Sequence, residues 1–231
     1  MLAQAVNAHN LANASTAGFR ADLLSARSAY MDGESADTRV YAPMRNTGID
    51  FSRGAINATG RNLDVAVNGD GWMAVSLPEG GEAYTRRGDL RVDEFGQLAN
   101  GDGMQILGES GPIAVPPFSE ISVGADGTVS IVPLGEDPDS TVVVDRIKLV
   151  NPDTAQLGKG EDGVIRLAGG GEAPADAAVR LIPGSIESSN VDTVAAMVRM
   201  IELSRQFESH VKIMNTAEQL DQSSAQLMSL S

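Results

Sequence analysis

Residues 63–77 read LDVAVNGDGWMAVSL, and the alternation in this stretch decides the fold class. Leu63, Val65 and Val67 alternate with Asp64 and Ala66, the period of two that sends successive side chains to opposite faces of a strand. Asn68-Gly69-Asp70-Gly71 follows and leads into Trp72. Asn-Gly supplies the positive φ angles of a two-residue hairpin turn, so a hairpin is expected here.

Working outward, the same grammar runs from Leu63 to about Ile182. A second Asn-Gly-Asp-Gly stands at 100–103, and Asp126-Gly127 separates ISV from TVSIV. In VVVDRIKLV, residues 142–150, Ile147 and Leu149 alternate with Arg146 and Lys148, as in a half-buried antiparallel strand. Turn signals every eight to twelve residues or so mark an all-β domain.

The two ends switch to helical grammar. The opening MLAQAVNAHNLANAS lacks Gly and Pro and is rich in Ala and Leu, with Leu2, Val6 and His9 on one helical face. Gly18 breaks it, and FRADLLSARSAY (19–30) is expected to form a second helical stretch before the Gly/Asp/Ser segment around residues 32–37. At the other end no Gly or Pro occurs from Asn190 to Ser231, which permits one long helix. Ser189, with Asp192 three residues on, resembles a capping box. Met200, Leu203, Phe207, Val211, Met214 and Ala217 fall on one third of the helical wheel. Val194, Met197, Val198 and Ile201 form a second apolar strip beside it.

The expected fold is thus a mainly β, antiparallel, hairpin-rich central domain flanked by helical arms. The N-terminal arm spans 1–30, a connecting segment 31–62, the β domain 63–185 and the C-terminal helix 186–231. A helix of about 40 residues cannot bury two strips against a small β domain, and the N-terminal helix is too short to cover it, so partners must supply part of the cover.

Composition narrows the function. The chain has 231 residues, 42% hydrophobic, with nine aromatic residues, no cysteine and a formal net charge of −14. No cysteine means no disulfide framework, no zinc-thiolate site and no thiol catalysis. The acidic excess sits mid-chain, where residues 67–185 carry nineteen acids against eight bases. A surface of that sign does not track phosphates, which argues against nucleic-acid binding. No run of eighteen or so apolar residues and no Sec-type signal is present, so no direct membrane insertion is expected.

The motifs that suggest chemistry have simpler readings. Gly158-Lys159-Gly160-Glu161-Asp162-Gly163 matches G-x-G-x-x-G, but the VIRL that follows is a strand pattern, where a dinucleotide site needs a helix N-terminus. His9 and His210, the two histidines, lie in the helical arms without neighbours at ligand spacing. The Asp-Gly pairs at 70, 102, 126 and 162 lack the alternating acids of a calcium loop and read as turns. The sequons at Asn13 and Asn57 have no secretory signal to give them weight. No catalytic, cofactor-binding or metal site is expected. Two other classes stay open at this stage: a β-rich adhesin or ligand-binding module, and a hydrolase using paired carboxylates. Scattered aromatics, Trp72, Tyr84, Phe95 and Phe118, argue against the first.

Three segments together resemble the flagellar rod and hook family. AVNAHNLANASTAGFRADL (5–23) is similar to its N-terminal signature through Asn10, Leu11, Ala12 and Asn13, then Thr16, Gly18, Phe19 and Arg20. Residues 54–116 resemble its β-domain block, and GSIESSNVDTVAAMVRMIELSRQFESHVKIMNTAEQLD (184–221) its closing helix, which begins at Ser-Asn-Val-Asp. Trp72-Met73-Ala74-Val75 stands where relatives commonly show an aromatic pair, and GGEAYTRRGDL (80–90) favours the proximal over the distal rod type.

The resemblance implies a structural subunit without enzymatic activity or cofactor, at work in a periplasm-spanning rod. It implies export through the flagellar type III apparatus, self-assembly with other rod proteins, and a first helix that continues upstream of Met1. The residues expected at the assembly interface are Asn10, Leu11, Ala12, Asn13, Gly18, Phe19, Asn190, Val191, Val194, Met197, Met200, Ile201, Leu203, Phe207, Val211 and Met214.

Overall fold

The structure, a computed structural model, describes residues 2–24, 47–137, 139–160 and 163–229. The described chain is mostly antiparallel β with two helices, and it divides into two compact units. One holds Asn13–Leu23 with Gly48–Val191; the other contains the helices α1 (Leu2–Ala12) and α2 (Thr193–Ser229).

The β unit is organised around β5 (Trp72–Ser76), which pairs with β6 (Glu82–Thr85) on one side and β12 (Leu149–Val150) on the other. β14 (Ile165–Leu167) and β13 (Leu157–Lys159) extend this sheet to five strands. β5 is covered on both faces. Met73 and Val75 join a large cluster with Val65, Leu98, Ile106 and Val129, while Trp72 belongs to a second cluster with Tyr84, Val150 and Ile165. A strand covered on both sides needs a continuous apolar run rather than an alternating one, which is why Trp72-Met73-Ala74-Val75 has no polar partner face.

A second sheet holds β9 (Phe118–Val123), β10 (Thr128–Pro133) and β11 (Val142–Arg146). β9 and β10 form the hairpin expected at Asp126-Gly127, and Val129 stands opposite Val123. The Asp126 carboxylate accepts from the Thr128 backbone N–H at 3.1 Å and its hydroxyl at 2.7 Å, so the turn accounts for this aspartate. The run 142–150 alternates as expected, with Ile147 and Leu149 buried. It also changes sheets, from β11 beside β10 to β12 beside β5.

The two Asn-Gly-Asp-Gly copies behave differently. The one at 100–103 closes a tight hairpin after β8 (Leu98–Ala99), with the Asn100 side-chain oxygen accepting from Asp102 and Met104 N–H. The one at 68–71 makes no hairpin between its flanking strands, which corrects the expectation. β4 (Val65–Asn68) pairs instead with β15 (Arg180–Pro183), more than a hundred residues away, while β5 goes to the other sheet. Turn chemistry specifies a local reversal but not which strands flank it, and Arg86 decides here by binding the Gly69 and Gly71 carbonyls.

Two expectations for the ends also change. Residues 19–24 are not helical: β1 (Asp22–Leu24) pairs with β2 (Thr47–Ile49), and Arg20 is buried in the β unit. Residues 25–30 of that expected stretch, and 31–46 of the expected connection, lie outside the described residues. The remainder of the connection contributes β2 and β3 (Ile56–Ala58), the latter paired with β16 (Ser185–Glu187). The cap of α2 is Asp192, whose carboxylate accepts from the N–H groups of Val194 at 2.9 Å and Ala195 at 3.0 Å. Ser189 instead closes a small turn by accepting from Val191 N–H. The first carboxylate that can reach two orphan amides caps the helix.

The second cluster carries a pH signature. Burial, first, and the nearby Glu82 and Glu172 carboxylates push the Tyr84 phenol up to about 12 from its ordinary 10.0, against a lowering bond donated by Ala173 N–H. Above pH 10 the unfolded chain releases this proton before the folded chain does. Its contribution to stability is therefore complete below pH 10 and falls through the window up to about 12. Urea midpoints measured across that range should drop more steeply in the native protein than in Tyr84→Phe.

Candidate assembly interface

α1 and α2 pack against each other within their unit, and the contact is polar at its centre. Asn7, the buried residue of α1, donates from its side-chain amide to the Ala196 carbonyl at 2.8 Å, and Ala196 is itself buried. Leu2 and Val6, expected on one helical face with His9, are 47% exposed and half-buried respectively. Ala-rich residues 3–12 allow close approach, and the one buried amide fixes its depth.

α1 has 11 residues and α2 has 37, about 16 Å against about 55 Å at helical rise. The two apolar strips of α2 fare differently. In the first, Met200, Leu203 and Val211 are half-buried, whereas Phe207 and Met214 are exposed. In the second, Val194, Met197, Val198 and Ile201 are all exposed, by 51–71%. At the other end of the motif, Asn10, Leu11 and Asn13 are half-buried and Ala12 is exposed. Asn13 closes the turn after α1, accepting from Thr16 N–H at 3.1 Å. His9 and His210 lie on the exposed surfaces of the two helices.

The remaining signature residues meet inside the β unit. Gly18 N–H donates to the Glu187 carbonyl at 2.7 Å, and Asn190 N–H to the Phe19 carbonyl. The Asn190 side-chain oxygen accepts from Ala21 N–H at 2.8 Å, while its amide donates to the carbonyls of Asp50 and Ser52. Phe19 lies under the Lys159 ammonium, 4.7 Å from the ring centroid, and Lys159 pairs with Asp22 at 2.7 Å. Val191 is half-buried. Gly18 has φ +66°, and a Cβ there would stand 2.3 Å from the Arg86 backbone. Only glycine fits both the conformation and the space. Thus Gly18, Phe19 and Asn190 are engaged within the chain itself.

Beneath them is a cluster that sequence reasoning missed. The Glu187 carboxylate binds Arg20 at 2.6 Å through one oxygen and Arg86 at 2.9 Å through the other, and its first oxygen also accepts from Gly54 N–H at 2.9 Å. All three side chains are under 5% exposed. Both guanidinium groups lie over the Trp72 ring, at 5.8 and 5.3 Å, and Phe51 meets the same ring edge-on. Burial, offset in part by Glu187, holds Arg86 below the ordinary arginine range. Arg20 was noticed through its motif, but nothing local in the sequence pairs it with Glu187 or Arg86, 167 and 66 residues away.

Nothing in this arrangement resembles a reaction centre, and no group of acids and histidines suited to a metal ion occurs among the described residues. No described helix is long and apolar enough to cross a membrane.

Comparison with known proteins identifies what such a molecule is. Residues 66–131 match the family model described as flagellar hook protein FlgE/F/G D1 domain, and residues 182–227 that described as flagellar basal body rod FlgEFG protein C-terminal. The chain is 41% identical to the flagellar basal-body rod protein FlgF of Escherichia coli (strain K12), over 99% of this chain and 93% of that one. It is 40% identical to FlgF of Salmonella typhimurium, with the same coverage, and 29% identical to the rod protein FlgG of Bacillus subtilis over 92% and 88%. The chain therefore belongs to the flagellar basal-body rod protein family, in its FlgF type, and is a structural subunit of the basal body rather than an enzyme.

Proposed function

We propose that this rod subunit polymerises through its two helices, with neighbouring copies and other rod proteins covering the apolar strips of α2. The observation that carries this reading is the bare second strip, Val194, Met197, Val198 and Ile201. These side chains are 51–71% exposed, so covering what remains contributes roughly 1–2 kcal/mol each, a favourable term set against the entropic cost of association. Phe207 and Met214 extend the surface toward the C-terminus, and Met200, Leu203 and Val211 complete their burial in the assembly. Asn10, Leu11, Ala12 and Asn13 form the adjoining part on the N-terminal side. Gly18, Phe19, Asn190 and Val191 serve the interface by shaping the chain segments that lead to the helices.

In this reading the subunit is part of a proximal rod that crosses the periplasm, and its helices make the contacts between subunits. A heterologous contact that does not close builds such a tube, and torque passes through packing alone. The subunit binds no nucleic acid and inserts into no membrane. Transit through the flagellar export apparatus suits a chain with no cysteine, which no disulfide can lock before delivery.

The absence of native cysteine provides the test. Met197→Cys, loaded with a short bifunctional thiol-to-amine reagent in intact basal bodies, is expected to cross-link to neighbouring subunits. Ser110→Cys, on an exposed loop of the β unit, serves as the comparison. Cross-linking at Ser110 and none at Met197 would reverse the assignment of surfaces.

A further inference from the structure

The Arg20–Glu187–Arg86 cluster has the wrong composition for a stabilising bridge. It buries two cations against one anion, and Arg20 Nε and Nη1 have no hydrogen-bond acceptor among the described residues. Taking that excess charge out of water is costly, and the Trp72 face offsets only part of it. Removing Arg20 alone would leave a one-to-one buried pair of Arg86 and Glu187.

What the cluster does supply is position. The backbone bonds that join residues 18–21 to 187–190 are neutral, and Gly18, where no Cβ fits, gives them one fixed point. The side-chain contacts supply a second. Each oxygen of Glu187 is claimed by a guanidinium from a different segment, one from Arg20 at the end of the N-terminal signature, the other from Arg86 just after β6. Gly54 N–H takes the remaining approach, and a Cβ at Gly54 would stand 1.9 Å from the Ser188 carbonyl oxygen. A slip of one residue would strand a buried charge.

We propose that Arg20, Glu187 and Arg86 act as a register key, with Arg20 and Glu187 positioning residues for assembly: they fix how the segment leading from α1 and the segment leading to α2 dock on the β unit. Together with the steric limit at Gly18, the cluster penalises any other arrangement at a cost in stability, a use known for single buried polar groups elsewhere. The importance of this docking for assembly rests on the reading that the helices are the polymerising parts.

The full-length protein can report on this directly. Nitroxide labels on cysteines placed at Ser15 and Ala55, both exposed and both in the β unit, measure the docking of the first segment. Trp72, the single tryptophan, reports on the cluster by fluorescence. The native chain is expected to give one narrow distance distribution. In Arg20→Met the distribution should broaden or split and Trp72 emission should shift, while the thermal midpoint stays equal or rises. Incorporation into rods should fall at least tenfold. Arg20→Lys, which keeps the charge without the planar fork, should lie between the two.

An unchanged narrow distance in Arg20→Met, a collapsed thermal midpoint, or a broadened distance with normal incorporation would each overturn the proposal. Ile201→Asp separates this idea from the assembly reading beneath it. That variant should keep the narrow distance and still fail to assemble. Normal assembly by Ile201→Asp would sink the helix reading and with it the claim that docking matters for assembly.

Discussion

Glu187→Gln is expected to lower the unfolding free energy of the protein by about 3–5 kcal/mol, the usual cost of leaving a buried charge without its partner. Here the cost falls on two partners. Arg20 and Arg86 would both stay buried over the Trp72 ring with no anion between them. Against a total stability of about 5–15 kcal/mol, the loss is large, and the thermal midpoint should fall by roughly 10 °C or more. Calorimetry or Trp72 fluorescence on the purified protein measures it. A midpoint within a degree or so of the native value would mean that water or another donor arrangement already solvates the cluster. The contrast with Arg20→Met, which removes charge while keeping a matched pair, makes the two results jointly diagnostic.

The second large effect is functional and should leave stability alone. Ile201 is 56% exposed on α2, so Ile201→Asp costs the isolated subunit little. Placed in a dry contact between subunits, the same carboxylate has no partner and must be desolvated. Motility is expected to be lost, with export, expression and circular dichroism unchanged. Phe207→Asp should behave in the same way. Met200→Asp, at a half-buried site, should lose motility and some stability together. Normal swimming by Ile201→Asp would place that strip in solvent within the rod.

The sequence made some features legible and hid others for identifiable reasons. The β unit was readable because strand alternation is local, as in the hairpin across Asp126-Gly127, and the unbroken run after Asn190 announced α2 for the same reason. What stayed hidden depends on residues far apart. The turn at 68–71 has the composition of a hairpin, but its strands diverge because Arg86 binds Gly69 and Gly71 and β15 returns to pair with β4. Residues 19–24 carry a plausible helical pattern, and burial of Arg20 against Glu187, 167 residues away, overrides it. Intrinsic propensity is too weak to resist such contacts.

The candidate interface divides along the same line. Periodicity found both strips of α2 but could not tell which one was half-covered; exposure separates Val194, Met197, Val198 and Ile201 from Met200, Leu203 and Val211. Asn7 was invisible as a contact because a polar residue in an Ala-rich helix reads as surface, yet it is the buried residue of α1. Gly18, Phe19 and Asn190 were noticed through their motif. Their hydrogen bonds show a junction within the chain, a role no pattern of spacing reveals.

The central claim is that neighbouring subunits bury the bare strip of α2. A density map of the intact basal body by electron cryo-microscopy, with this chain fitted side chain by side chain, tests it most directly. The account predicts Val194, Met197, Val198 and Ile201 against apolar side chains of adjacent subunits, each excluded from water. A rod in which these four side chains face a solvent-filled space, while the β units make the contacts between subunits, would contradict it.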